Sequence, residues 1–395
     1  MKLALVVQRY GLEINGGAEL HCRWIAEHLK KYAETEVLTT KAIDYITWKN
    51  HFPADEDVIN GIRVRRFPVA RPRRPEKFGR LQHQLLGHEH SDADELRWLD
   101  EEGPLVPSLI DFIRGREQDY DYFIFFSYRY YHSYWGIQSV PQKSLLVPTA
   151  ERDPVIGLRL FHDLFRKPRA LIYNSVEERR LINAISRNED VFGDVVGVGS
   201  EVPAAPSAEA FRQKHGVASP YIIYVGRVDE NKGCHKLFEY FIRYKKEAPS
   251  DLKLVLAGST IMRIPAHPDI LYLGFMREDD KFNALAGADL LVMPSFFESL
   301  SMVTLEAWAL GKAVLANALC DVLKGQCLRS NGGLFYENYP EFREGLSLLL
   351  GSPRLRQGLG ENGRSYFEEN YRWEVIEKKY LAVFDHLEKA KERAS

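Results

Sequence analysis

Two windows in the second half of the chain hold residue types suited to a phosphorylated, hydroxyl-rich ligand. In the first, the apolar run Tyr221 to Val225 leads directly into Gly226, Arg227, Asp229, Lys232 and Gly233, and a helical pattern begins near Cys234. A glycine at a strand end lets backbone approach a ligand closely. The helix start behind it supplies unpaired N–H groups and the positive end of a dipole. Arg227 can grip an anion bidentately and Lys232 adds a point charge, so the window has the makings of a diphosphate clamp. The plainer alternative is a surface arginine and lysine beside an ordinary βα turn. The second window runs from Pro294 to Gly311 as strand end, irregular loop, and a helix capped by Ser299 or Ser301. Glu298 falls in the loop, where it can face a cleft. Glu306 sits beside Leu305, Ala307 and Trp308, an odd setting for a carboxylate unless it binds something; a helix-surface position is the alternative. Carboxylates accept hydrogen bonds from sugar hydroxyls, so the two glutamates suit the two polyols of one ligand, a hexose and a ribose.

The G-R-x-D-x-x-K-G run at 226–233, the P-S-x-x-E at 294–298 and the E-A-x-A-x-G at 306–311 together resemble the donor-binding domain of family 4 glycosyltransferases. Asn15-Gly16-Gly17-Ala18-Glu19 is similar to that family's first glycine-rich loop, and Trp373 lies in a final helix like the one that crosses back to the family's first domain. The resemblance implies the GT-B fold: α/β, with two Rossmann-like domains facing each other across a cleft. It implies transfer with retention of configuration, no cofactor and no bound metal, the nucleotide diphosphate sugar being a substrate. By the same resemblance, Arg227 and Lys232 hold the diphosphate and stabilise charge on the leaving group. Glu298 engages the hydroxyls of the transferred sugar and Glu306 the ribose. Backbone N–H groups at Met302 and Val303 touch the phosphates, with serine hydroxyls such as Ser301 adding contacts. Phe275 and Met276, after Gly274, hold the base. Gly16 and Gly17 let the first loop approach the diphosphate and sugar.

The chain departs from the family pattern in two places. Glu298-Ser299-Leu300-Ser301 stands where many members read E-G-F-G, and Glu151 stands where members commonly carry a histidine after a V-x-T. Either Glu151 has taken over the histidine's contact with sugar and acceptor, or the site is altered. His132 and Tyr131 are further candidates to grip an acceptor sugar, with packing as the equal alternative.

These residues need elements to hold them. The chain of 395 residues is long enough for two domains, each with its own core. Short apolar runs alternate with amphipathic stretches, the pattern of parallel sheets built from βαβ units. Strands are predicted near Leu3 to Val7, Thr35 to Thr39, Tyr122 to Phe126, Leu145 to Pro148 and Ala170 to Tyr173. A second set is predicted near Tyr221 to Val225, Lys253 to Ala257, Ile270 to Leu273, Leu290 to Met293 and Ala313 to Ala316. Asn60-Gly61 between β-branched runs signals a small antiparallel hairpin. Residues 1–200 read as an acceptor-binding Rossmann-like domain, 201–219 as a Gly/Ser/Ala/Pro linker, and 220–371 as the nucleotide-sugar donor domain. A helix over about 372–395 is expected to pack back on the first.

The 53 basic and 55 acidic side chains leave a formal charge of −2, which argues against nucleic acid as a partner. The 4 cysteines show no C-x-x-C spacing, which fits a reducing cytosol and excludes a disulfide scaffold or structural zinc. Asp55/Asp57, Asp92/Asp94 and Asp119/Asp121 form D-x-D pairs away from the far ends of strands, so metal binding is not expected. The expected location is cytoplasmic. One segment breaks the balance: eight cations between Arg63 and Arg80 against Glu76 alone. It reads either as an irregular solvated loop or as a peripheral contact for an anionic membrane face or phosphate-bearing acceptor. The function expected is hexosyl transfer from a nucleotide diphosphate sugar to a glycan or lipid-linked saccharide, in cell-surface polysaccharide or lipopolysaccharide synthesis. A sugar-nucleotide epimerase on the same fold, or a catalytically weakened binder, are the alternatives.

Overall fold

Tyr122 to Phe126 is buried at every position, as a strand covered on both faces must be. The same holds for other central runs, and it explains why this chain forms parallel sheets. The computed structural model describes residues 1–14 and 16–394; Asn15, expected in the glycine-rich loop, and Ser395, expected at the end of the final helix, lie outside the described residues. Two units emerge, residues 1–198 with 377–395, and residues 199–376.

Unit 1 contains β1 (Lys2–Val6), α1 (Gly17–Leu29), β2 (Glu34–Thr40), β3 (Glu56–Ile59), β4 (Ile62–Phe67), α2 (Pro75–Gly87), α3 (Asp92–Glu102) and α4 (Pro107–Gly115). It continues with β5 (Tyr122–Phe126), α5 (Tyr131–Ser139), β6 (Ser144–Val147), α6 (Arg159–Leu164), β7 (Ala170–Tyr173), α7 (Val176–Ser186) and β8 (Gly193–Val195). Its sheet of 8 strands runs β3-β4-β2-β1-β5-β6-β7-β8, parallel except for β3 against β4. The predicted hairpin forms with Asn60 and Gly61 both at positive φ, 49° and 77°. It is more than an inserted ribbon, because β4 pairs in parallel with β2 and makes the hairpin the sheet edge.

The basic segment also differs from expectation. It is largely ordered, by β4 at one end and α2 at the other, and its cations are turned onto acids. Arg63 and Arg65 pair with Glu56, Arg66 with Asp57, Arg71 and Lys77 with Glu101, and Arg73 with Glu102. Arg74 and Arg80 are the exposed members without such a pair among the described residues. The acidic stretch that follows is helix α3, begun by a Ser91/Asp94 capping box. Asp94 of one D-x-D pair is therefore a helix cap.

Unit 2 contains α8 (Ala208–His215), β9 (Tyr221–Val225), α9 (Cys234–Glu247), β10 (Lys253–Ala257), β11 (Ile270–Tyr272), α10 (Glu278–Gly287) and β12 (Leu290–Met293). Then follow α11 (Met302–Ala309), β13 (Val314–Asn317), α12 (Asp321–Ser330), β14 (Gly333–Tyr336), α13 (Tyr339–Gly351) and α14 (Pro353–Asn370). The six strands run β11-β10-β9-β12-β13-β14, all parallel. The stretch 201–219, expected as a linker, contributes α8 to this unit. Ser207 caps it by accepting the Ala210 N–H at 3.1 Å, Phe211 is buried against Tyr221, and Arg212 donates to Gly287 O at 3.2 Å. One apolar anchor and one cap are enough to fold a Pro/Ala-rich stretch onto its neighbours.

The last helix, α15 (Trp373–Ala394), begins in unit 2, where Gly199 leaves no room for a Cβ beside the Trp373 ring. From Glu377 it belongs to unit 1: that carboxylate accepts from Lys31 and Tyr32 and lies 2.6 Å from His28 Nδ1. No helix among the described residues is long and apolar enough to cross a membrane.

Candidate functional site

In unit 2 the site forms where strands β9, β10, β11 and β12 end. Parallel strands leave their last carbonyls and loops at one sheet edge, where ligands bind in such folds. Three glycines allow the loops there to close on one another. Gly226 (φ 149°) donates its N–H to Ala257 O at 2.9 Å, and Gly258 (φ 143°) donates to Gly274 O at 2.8 Å. A Cβ at Gly258 would stand 1.9 Å from Gly226 O, so no other residue fits there.

The 226–233 loop is organised by Asp229, a residue quoted in the motif but given no role from sequence. Its carboxylate pairs with Arg227 and also accepts the Lys232 backbone N–H at 2.7 Å. Gly233, at φ 69°, is forced by the chain opposite, since a Cβ would sit 2.0 Å from Pro294 O. The Phe296 N–H bonds Asn231 O at 3.3 Å, closing the two windows onto each other. Lys232 Nζ is then 2.8 Å from Glu298 Oε1 and 3.4 Å from Phe297 O. Arg227, Lys232 and Glu298, 71 positions apart at the extremes, thus share one continuous network through Asp229. The cations are ion-paired within the loop network.

Glu306 occupies α11, where Leu305, Ala307 and Trp308 are fully buried and the carboxylate itself is 3% exposed. Burial pushes its carboxyl up, opposed by Lys281, whose Nζ lies 2.8 Å from Oε1. Burial alone would lower the Lys281 ammonium; Glu306 and Glu278 outweigh it and raise it. Lys281 carried no signal in the sequence.

Ser301 is the N-cap of α11, as its type and place suggested. Its hydroxyl, however, accepts from the Thr304 N–H and Oγ1 at 2% exposure, so the side-chain contact expected of it is spent on capping. Met302 and Val303 are the first residues of α11, whose leading N–H groups have no intrahelical acceptor. Past β11, Gly274 turns at φ 71°, leaving Phe275 exposed (65%) and Met276 half-buried.

In unit 1, Gly16 is the N-cap of α1 and Gly17 its first residue. A Cβ on Gly16 would lie 2.2 Å from Glu19 Oε2, a carboxylate pinned by the buried Arg9 at 2.5 Å. Glu151 is half-buried in a loop held at three points: Ser127 Oγ to Thr149 Oγ1 at 2.7 Å, the Ala150 N–H to Glu178, and Asp153 to Arg129 at 3.0 Å. Tyr131 is half-buried on the unit's core. His132 must be corrected. It is 0% exposed, and burial lowers it to about 3, so it is a neutral core residue stacked on Tyr130, out of an acceptor's reach.

Residues 207–366, which hold all the unit 2 site residues named above, match the family described as Glycosyl transferases group 1. The chain is 29% identical over 191 residues to an uncharacterized glycosyltransferase of Methanocaldococcus jannaschii (44% of this chain, 47% of that one). It is 28% identical over 197 residues to the MMP alpha-(1->4)-mannosyltransferase of Mycolicibacterium hassiacum (47% of each). The aligned part spans about half the length of these curated relatives. Among solved structures, the Anabaena protein HepE in complex with UDP-glucose superposes with a TM-score of 0.73 at 16% identity, covering 98% of this chain and 100% of that one. The fold is GT-B, with a Rossmann-like sheet in each unit.

Proposed function

We propose that the chain is a retaining, metal-independent glycosyltransferase that moves a hexosyl group from a nucleotide diphosphate sugar to a glycan or lipid-linked saccharide. The observation that carries this reading is the Arg227–Asp229–Lys232–Glu298 network at the ends of β9 and β12, inside the matched region. A cation and a carboxylate held 2.8 Å apart suit the junction of a phosphate and a sugar. The relatives' names and the UDP-glucose bound by HepE support the same class of donor.

In this mechanism Arg227 and Lys232 bind the diphosphate, Glu298 accepts from the hexose hydroxyls, and Glu306 accepts from the ribose. The loop at Phe275 and Met276 carries the base, and the N–H groups of Met302 and Val303 face the phosphates. The bond from the anomeric carbon to the phosphate oxygen breaks as the acceptor oxygen bonds the same face. The acceptor's proton passes to the departing phosphate oxygen, whose charge the two cations stabilise. Gly16 and Gly17 leave the first loop of unit 1 room to approach a ligand, and Glu151 accepts from an acceptor hydroxyl. Unit 1 is the acceptor side in this reading, and its pathway is cell-surface polysaccharide or lipopolysaccharide synthesis. A peripheral contact with the inner face of a membrane would rest on Arg74, Arg80 and the exposed Leu86 of α2.

A panel of nucleotide sugars assayed for nucleotide release, with and without acceptor glycans, tests the reading. Acceptor-dependent release is expected, and K232A or E298Q should lower it at least a hundredfold, the scale of one lost transition-state contact. Donor turnover without acceptor would instead favour an epimerase, and donor binding without turnover a weakened binder. Failure to bind any donor would sink all three.

A further inference from the structure

Lys281 is the fourth residue of α10, and its ammonium has three anchors. It lies 2.8 Å from Glu306 Oε1, 2.7 Å from Glu278 Oε2 and 4.6 Å from the centroid of the Phe282 ring. The side chains of Lys281 and Glu306 are only 13% and 5% exposed, whereas that of Glu278 is 63% exposed. A buried carboxylate with no cation beside it takes up a proton, and the resulting acid offers fewer acceptor sites. A bound cation prevents this while occupying one oxygen.

We propose that Lys281 is a positioning residue for donor recognition: it holds Oε1 of Glu306 and keeps the carboxylate ionised, so that Oε2 accepts from the ribose diol of a nucleoside diphosphate. The inference rests on the reading of Glu306 as the ribose acceptor and adds the group that makes that role chemically possible. Few other charges bear on the carboxylate. Helix α11 packs on β12, β13 and α14. The two strands carry no ionisable side chain, and Arg364 of α14 is directed at Gly311. Lys281 and Glu278, both on α10, are the charges that act on Glu306.

The test is calorimetric binding of uridine, guanosine and adenosine diphosphates and their 2′-deoxy forms to the full chain at pH 6, 7.5 and 9. Wild type, K281M, K281R and E306Q are compared. For the diphosphate that wild type binds, K281M should weaken ribonucleotide affinity about tenfold or more at pH 7.5, the worth of a hydrogen bond to a charged group. Its preference for the ribonucleotide over the 2′-deoxy form should shrink. Part of the loss should be regained as pH rises to 9, because higher pH favours the ionised carboxylate, and K281R should restore most of it. If K281M binds like wild type, or loses both nucleotide forms equally at every pH, the proposal is wrong. E306Q separates the two layers. Weakened binding in E306Q but not in K281M overturns the role of Lys281 alone, and unchanged binding in E306Q overturns the ribose assignment with it.

Discussion

Glu178, near the start of α7, is 1% exposed, yet its carboxylate accepts the backbone N–H groups of Ala150 and Asn174 and so ties the segments after β6 and β7 together. Burial raises its pKa from the ordinary carboxylate range to about 8; the N–H donors oppose this and the like charge of Glu151 adds to it. Because the folded value is the higher one, the native state binds more protons than the unfolded chain between about 4.5 and 8. Stability from this group is therefore lost as pH rises through that window. Replacing Glu178 by glutamine removes the titration. Urea unfolding at pH 5, 7 and 8.5 should show E178Q gaining on wild type as pH rises, by on the order of a few kcal/mol across the window. A constant difference between the two proteins would refute the burial argument. Neither Glu178 nor Lys281 was legible in the sequence, whereas Arg227, Lys232, Glu298 and Glu306 were. Arg227 and Lys232 stand beside glycines and Glu298 in the loop after a strand, local punctuation with a direct meaning. Glu306 shows itself as a carboxylate among Leu305, Ala307 and Trp308. The distant partners of the other two, Ala150 for Glu178 and Glu306 for Lys281, lie 28 and 25 positions away, and only the fold brings them close.

The same division holds for elements. Apolar runs buried along nearly their whole length, such as β9 and β12, declare themselves, and their predicted ends match the observed ones. Three-residue β8 and the half-exposed β14 do not, because too few side chains are buried to write a pattern. Helix α14 could be read as helical but not as close-packed, and its glycines show why that matters. A Cβ at Gly360 would lie 1.9 Å from Gly311 O, and one at Gly363 would lie 2.2 Å from Trp308 Cδ1. These two positions let α14 lie against α11 and the turn after it, and so fix the helix that carries Glu306. Gly358, in the same helix, meets nothing within 4 Å. Helix propensity favours alanine over glycine by about 1 kcal/mol at all three. At Gly358 that term acts alone, so G358A should raise the thermal midpoint. At Gly360 and Gly363 overpacking of about 1–3 kcal/mol opposes it and wins, because the obstacle is backbone or a fully buried tryptophan. G360A and G363A should melt earlier than wild type and bind nucleotide more weakly. Equal melting of all three variants would show that the close approach is not what sets stability there.

At the scale of the whole molecule, the near-neutral charge proves to be distributed through many short ion pairs, and the basic stretch from Arg63 is mostly consumed by Glu56, Asp57, Glu101 and Glu102. Sequence arithmetic sees the cations as a patch; folding matches them with acids on neighbouring elements. The chain's order is likewise not the order of its units. Unit 1 is completed only by the residues from Glu377 onward. There Tyr380, Val383, Phe384 and Leu387 are buried, Phe384 stacks with Tyr122, His386 stacks on Phe192, and Glu388 accepts from the Tyr122 hydroxyl. Burying such apolar side chains contributes about 1.5–3 kcal/mol each. Four of them equal the net stability of an ordinary domain, roughly 5–15 kcal/mol. Removing residues 377–395 should therefore abolish cooperative unfolding of unit 1 and open residues 1–198 to protease, although the cut lies 179 residues beyond that segment in sequence. Unit 2 keeps all of its own residues and should retain its transition. Mass spectrometry of a limited digest decides the matter: fragments from residues 1–198 should appear first in the shortened chain, and an unchanged digestion order would mean that unit 1 is stable without its C-terminal helix.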